Sequence, residues 1–310
     1  MSIEAFTGEL AASPNAEVDI EQCPFCKVKP SSKNICWAII SPWIRELGVT
    51  KRRVCRYLIC KDCELGWFSL RYSAVGLENL YKNYRGESYT AVRNKWEAWY
   101  NKEYNLAHEN LDWINSRAEA ISSFLQDKVD LSVSEVVDIG GDTGQIAELL
   151  GAKSFRVVEV SDRASTSKSQ SQDLPSIAVL AHVLEHVSFP KVFLVNLLKS
   201  YSSVYVEVPH GIPRVTRGRR SVIRLVMGLL ASLSPQTWRL FANPSAGRKH
   251  PAQLLRVSEH LTFFSESSFE RLPIEECSGA HLVSCVIPEI PSPDRETPVR
   301  VIQALWKSRL

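Results

Sequence analysis

No stretch of this chain approaches the roughly 18 uncharged apolar residues that a membrane-crossing helix needs. The nearest candidate, LVMGLLASL at 225–233, is too short. Residues 1–21 hold five acidic residues and no Lys or Arg, so the basic start and apolar core of a secretory signal are missing. Residues 1–20 are expected to be a tail. With neither device present, a cytoplasmic protein is expected, with a peripheral place at the inner face of the membrane as an option. Internal repeats are also absent. A local shortage says more: from Val208 to Ser258 there is no Asp or Glu, against nine Lys and Arg. The whole chain carries a formal charge of +3, so the remainder, less the segment's +9, is net −6. Hydrophobic content of 45% and charged content of 23% over 310 residues suit a globular protein with one large and one smaller unit.

Cysteine is scarce except in one place, since six of the eight lie between residues 23 and 63. Cys23-Pro-Phe-Cys26 and Cys60-Lys-Asp-Cys63 form two CxxC knuckles with 33 residues between the inner cysteines. Four thiolates so spaced can close a tetrahedral Zn²⁺ site of the ribbon type. The competing readings are four small buried residues or a redox pair, but two matched knuckles are seldom redox-active. Cys36 and Cys55 could be spare buried thiols or alternative ligands. A zinc ribbon can also bind nucleic acid. No aromatic-basic motif accompanies the knuckles and the basic segment is remote in sequence, so nucleic acid is not the expected partner.

Residues 21–75 therefore read as a zinc-binding module and 76–132 as a helical connector. Within it, Leu111, Ile114, Ala118, Ile121 and Leu125 recur at helical spacing and should bury one face. From residue 133 the pattern changes. VSEVVDIG, FRVVEVS, IAVLAHV and SVYVEVP read as strands, with TGQIAELLG and FPKVFLVNLLKSY as helices between them. Gly151 should end the first of these helices. Strand-helix alternation predicts an α/β fold with a doubly wound, Rossmann-like, mostly parallel sheet over 133–310. AHLVSCVIP and PVRVIQALW, joined by EIPSPDRETP, should add an antiparallel C-terminal hairpin at the sheet edge. The basic stretch would be an insertion over about 211–258.

VVDIGGDTG ends a strand in a glycine loop that opens a helix. Gly140, Gly141 and Gly144 let backbone approach a ligand. Alone, such a loop is an ordinary turn as readily as a cofactor site. Glu159, 15 residues after Gly144, ends the next strand, where a carboxylate can accept both ribose hydroxyls. HVLEHV at 182–187 follows the next core strand.

VVDIGGDTG, VVEVS, LAHVLEHVSFP, VYVEVP and SEHLTFFS, in this order, resemble the class I S-adenosylmethionine-dependent methyltransferases over roughly 133–290. With CPFC and CKDC upstream, the chain is similar to the branch that carries an N-terminal zinc module, including sugar C-methyltransferases of glycan pathways. The resemblance implies a cofactor loop at Asp138, Gly140, Gly141, Asp142 and Gly144, with Asp142 in place of a glycine. It implies ribose binding by Glu159, followed by Ser161. His182, Leu184, Glu185 and His186 would line the cleft, and Glu259 and His260 would supply the general-base region. Val257 and Ser258 replace a tyrosine and a histidine of the fuller pattern. Only 14 residues, Arg163 to Ser176, stand where the family fits another helix and strand that meet the adenine. Asp173 and Leu174 are candidates to meet it in their place.

A methyl group on a sulfonium needs alignment and, for many acceptors, a base. His260 is the first candidate base and His186 the second, each weighed against a structural role as a core or capping histidine. Arg214, Arg217, Arg219 and Arg220 suit a phosphate-linked acceptor. Ile223, Leu225, Val226, Leu229, Leu230 and Leu233 beside them suit an amphipathic helix on an anionic membrane, or a solvated basic face over an apolar core. The expected function is methylation of a carbohydrate or glycan precursor, a nucleotide- or lipid-phosphate-linked sugar, on O or C. A catalytically weak subunit of the same fold and a zinc-ribbon nucleic-acid binder are the alternatives.

Overall fold

The structure is a computed structural model that describes residues 16–141, 144–158, 175–213, 219–242, 255–272, 280–292 and 295–308. Its N-terminal strands are β1 (Val18–Asp19), β2 (Ile35–Ile40), β3 (Val54–Ile59), β4 (Gly66–Phe68) and β5 (Leu70–Arg71). There follow β6 (Glu135–Ile139), β7 (Ser154–Val158), β8 (Ser176–Ala181), β9 (Ser203–Pro209), β10 (Arg256–Val257) and β11 (Thr262–Phe263). Last come β12 (His281–Val286), β13 (Glu289–Ser292) and β14 (Arg295–Lys307).

The large sheet has the order β12-β14-β9-β8-β6-β7, with β13 also paired to β14. Strands β6 to β9 run parallel, and β6, β8 and β9 are the apolar runs buried on both faces that such a sheet needs. Each face is covered. On one, Ile121, Phe124 and Leu125 of the helix Leu111–Leu125 pack with Val136, Ile177 and Val179. On the other, Phe193, Leu194 and Leu197 of the helix Pro190–Ser200 pack with Val137, Ala178 and Leu180. Leu111 departs from its predicted place, being 66% exposed at the first residue of its helix, while Ile114, Ala118, Ile121 and Leu125 are buried. Gly151 stops the helix Gln145–Leu149 in the left-handed conformation, φ 70°, as the sequence suggested.

The C-terminal antiparallel pair exists, with one difference. Of the predicted connection, EIPS forms β13 and RETP lengthens β14 to 13 residues. Buried Ile290 and a hydrogen bond from Trp113 Nε1 to the Pro291 carbonyl at 3.3 Å hold β13 against the helix Leu111–Leu125. No strand among the described residues lies outside β7, the sheet edge next to the shortened segment.

A second sheet has the order β10-β2-β3-β4-β11. Strands from beyond residue 255 thus complete the N-terminal sheet, β10 parallel to β2 and β11 antiparallel to β4. The segment after β9 carries two helices, Arg219–Ala231 and Pro235–Ala242. Leu225 and Leu229 pack on the core built from Trp43, Tyr57 and Tyr72.

Candidate active site

Parallel sheets bind ligands in the crevice beyond the carboxyl ends of two strands whose connections leave in opposite directions. Here that point lies between β6 and β8, since the chain passes from β6 to β7 on one side and β8 pairs on the other. The glycine loop leaves the end of β6, and the His182–His186 stretch leaves the end of β8.

The loop is tight. Gly140 has φ 71° and Gly144 has φ 72°, both left-handed. Gly140 N–H donates to the Val158 carbonyl at 2.8 Å, and Gly144 N–H to the Gly141 carbonyl at 2.9 Å. A side chain on Gly141 would collide with the Asp138 carboxyl, and one on Gly144 with Val157. Asp138 itself is buried beneath the loop. These residues make a backbone cradle without β-carbons at the switch point, which suits a nucleoside cofactor. Asp142, Glu159, Ser161, Asp173 and Leu174 lie outside the described residues, as do Arg214 and Arg217.

After β8, His182 adopts φ 60°, a left-handed conformation uncommon for a non-glycine residue. Its N–H donates to the Glu207 carbonyl at 2.8 Å. Its ring bridges two buried carboxylates, Nδ1 lying 3.3 Å from Glu185 Oε1 and Nε2 lying 3.4 Å from Glu207 Oε1. Burial and Arg117 disfavour the imidazolium, but the two carboxylates outweigh them and raise the His182 pKa. Leu184, Glu185 and His186 form one 3-10 turn, with Leu184 and Glu185 buried.

His260 is brought to His186 by the segment that leads into β11. Leu261 N–H donates to the Glu185 carbonyl at 2.9 Å. The rings of His186 and His260 then meet edge to face, with centroids 4.7 Å apart. His186 Nδ1 lies 3.2 Å from the backbone carbonyl of Glu259. A carbonyl only accepts, so the proton sits on Nδ1, and Nε2 presents its lone pair. Burial first, and then the charge of His260, hold the His186 pKa down to about 4, so the ring is neutral near pH 7. Glu185, His186 and His260 offer three ligand atoms within 4.8 Å of one another.

Glu259 does not face this centre with its carboxylate. That group accepts from Arg93 at 2.8 Å, and burial notwithstanding, Arg93 and the two histidines hold its pKa at about 2. Arg93 also contacts Glu97 at 3.2 Å and stacks 4.0 Å above the Tyr100 ring. At the opposite end, Arg117 grips Glu207 through Nε at 2.7 Å and through a second nitrogen at 2.6 Å. The result is a continuous row of polar groups: Arg93, Glu259, the paired histidines, Glu185, His182, Glu207 and Arg117. Of these, Arg93, Arg117 and Glu207 carried no signal in the sequence, because the Arg93–Glu259 and Arg117–Glu207 pairs span 166 and 90 positions.

The four knuckle cysteines converge. Sγ separations are 3.5 Å for Cys23–Cys63, 3.4 Å for Cys26–Cys60 and 3.8 Å for Cys26–Cys63. Thiolates bound tetrahedrally to zinc at about 2.3 Å stand about 3.8 Å apart, so this donor set fits such an ion and is too open for a disulfide. Cys36 and Cys55 are not in the group. They sit on β2 and β3 in the neighbouring core with Tyr57, and burial raises their pKa values to about 11 and about 12, so they remain thiols.

The profile of a family described as "Methyltransferase domain" matches residues 106–273, which is more than half of the chain. No curated protein matches it. Among solved structures, the N-terminal domain of EvdMO1 with SAH and D-fucose is 11% identical, covering 64% of this chain and 83% of that one at a TM-score of 0.32. Magnesium protoporphyrin IX methyltransferase (ChlM) from Synechocystis PCC 6803 with bound SAH is 10% identical, covering 66% and 85% at a TM-score of 0.33. The family profile spans the glycine loop, the His182–His186 turn and His260, and this chain accordingly is an enzyme of the methyltransferase-domain family.

Proposed function

We propose that the acceptor is a carbohydrate or glycan precursor carrying a phosphate, methylated with His260 or His186 as the base. The observation that carries this reading is the acid-free basic segment between β9 and β11, which runs into Glu259 and His260. Nine cations with no counter-ion in their own segment suit a phosphate-linked donor of hydroxyl or carbon nucleophile. Bound S-adenosylmethionine supplies an electrophilic methyl group. Asp138, Gly140, Gly141 and Gly144 would cradle it, with Asp142, Glu159, Ser161, His182 and Leu184 as further contacts. His260, or His186 with its neutral ring, would take the proton that the acceptor releases. Glu259, held by Arg93, would orient His186 through its backbone carbonyl. Zinc held by Cys23, Cys26, Cys60 and Cys63 would be structural.

The test pairs binding with turnover. S-adenosylhomocysteine is titrated calorimetrically into the protein and into Asp138→Asn. Methyl transfer to nucleotide-linked and lipid-phosphate-linked sugars is then followed by mass. We expect His260→Gln to lower kcat by about 10²-fold or more with cofactor affinity unchanged, the range for a lost base. Full turnover by the double variant His186→Gln/His260→Gln, or turnover on acceptors without sugar only, would overturn the reading.

A further inference from the structure

The helix Arg219–Ala231 is apolar on both sides. Its inner stripe is spoken for, with Gly228 and Ala231 buried and Leu225 and Leu229 packed on the core beneath. Its outer stripe holds Val222, Ile223, Val226, Met227 and Leu230, and Leu233 continues it beyond the helix end. All six are exposed, from 37% at Met227 to 64% at Leu233. Leu240 on the following helix is 70% exposed. Single exposed apolar residues are ordinary, but an unbroken stripe of them marks a surface that meets something.

Charge decides what it meets. The stripe lies in the segment with nine Lys and Arg and no Asp or Glu. A second copy would set like charge against like, whereas anionic headgroups complement it. Length excludes a crossing, since no helix among the described residues is long and apolar enough to span a membrane. A helix with an outward apolar stripe and basic flanks instead lies in the plane of the interface. We propose that this face docks the protein on an anionic lipid bilayer, with the stripe from Val222 to Leu233 seated among the acyl chains.

Docking in this way sets the helix Arg219–Ala231 at headgroup level, in the segment that leads in sequence to Glu259 and His260. Of the phosphate-linked acceptors above, the lipid-linked class is then the one presented to the site. That last step rests on the carbohydrate reading, whereas the docking itself does not.

The full-length protein is sedimented with vesicles of phosphatidylcholine alone and of phosphatidylcholine with phosphatidylglycerol, at low and high salt. The expected result is binding to the anionic vesicles that weakens with salt, and little to the neutral ones. The variant Val226→Glu/Leu230→Glu should lose about tenfold or more of this binding, because two charges enter the apolar stripe. Both positions are exposed, so its melting temperature should match the parent. Absence of binding to either vesicle would overturn the proposal. So would a stable dimer by light scattering that the same double variant dissociates. Failure of methyl transfer with vesicle binding intact would count against the acceptor class alone.

Discussion

A histidine buried against a second histidine can hold a proton only at a cost in folding free energy. His186 is in that position, and its pKa falls from 6.5 to about 4. Between those two values the unfolded chain binds the proton more readily than the folded one. Its share of stability therefore grows as pH rises through this window and is complete above about 6.5. Glu185 and Glu259 act lower down. Burial opposes them, but their histidine and arginine neighbours hold both near 2, so their share is present above 4.5 and is lost as pH falls toward 2. The urea midpoint should thus decline from pH 6.5 to 4 and further below. His186→Gln should flatten the upper part of that decline and leave the lower part. An unchanged profile in the variant would mean that His186 is not buried as described. The histidines themselves were legible in the sequence, in HVLEHV and SEHLTF. Their arginine clamps were not, because an ion pair across 166 positions, such as Arg93 with Glu259, leaves no local pattern. Nor did the sequence disclose that Glu259 would spend its carboxylate on Arg93.

Elements were legible in proportion to their burial and length. The parallel strands β6, β8 and β9 are apolar runs buried on both faces, and each was read directly from VVDI, IAVLA and SVYVEVP. Two-residue strands were not, for β10 and β11 are defined by partners in β2 and β4 more than 190 positions away. β13 was hidden by its proline, Pro291, on a strand that pairs only with β14 among the described residues, where a missing N–H costs little. The glycine loop was visible as a motif, but not the reason for its middle glycine. Gly141 is there because the Asp138 carboxyl fills the space a β-carbon would need. Gly141→Ala should push one against the other and cost roughly 1–3 kcal/mol of stability, the range for overpacking. With the loop displaced, calorimetry should show S-adenosylhomocysteine binding weakened by about tenfold or more. A stable variant with undiminished affinity would remove this loop from the cofactor site.

On the scale of the molecule, the cysteine-rich part read as a separate module because its knuckles are contiguous in sequence and the sheet begins only at residue 133. In the fold the two share one interior. Cys23, Phe25, Cys60, Cys63 and Trp67 lie in the same apolar cluster as Val137, Ala178 and Phe193 of the large sheet and its helix. Phe25 meets Phe264 at 5.7 Å, and Phe264 stacks on Phe269 at 5.1 Å. Ser268 Oγ donates to the Cys63 carbonyl at 3.1 Å, and the buried Arg71 donates Nε–H to the Ser188 carbonyl at 2.6 Å. Four mutually close thiols cannot all ionise here without a cation to bind them, and a zinc ion would supply that charge. Its removal should then be felt throughout the interior, not in a detachable lobe. We expect one bound zinc by elemental analysis, and a cobalt-substituted protein with thiolate charge-transfer absorption. Chelation should lower the melting temperature of a single cooperative transition by on the order of 10 °C, several kcal/mol for a chain of this size. S-adenosylhomocysteine binding should fall with it, since β11 leads from the knuckle sheet straight back to His260. A metal-free protein with an unchanged melting temperature would refute the structural role. Two separate transitions would refute the shared interior.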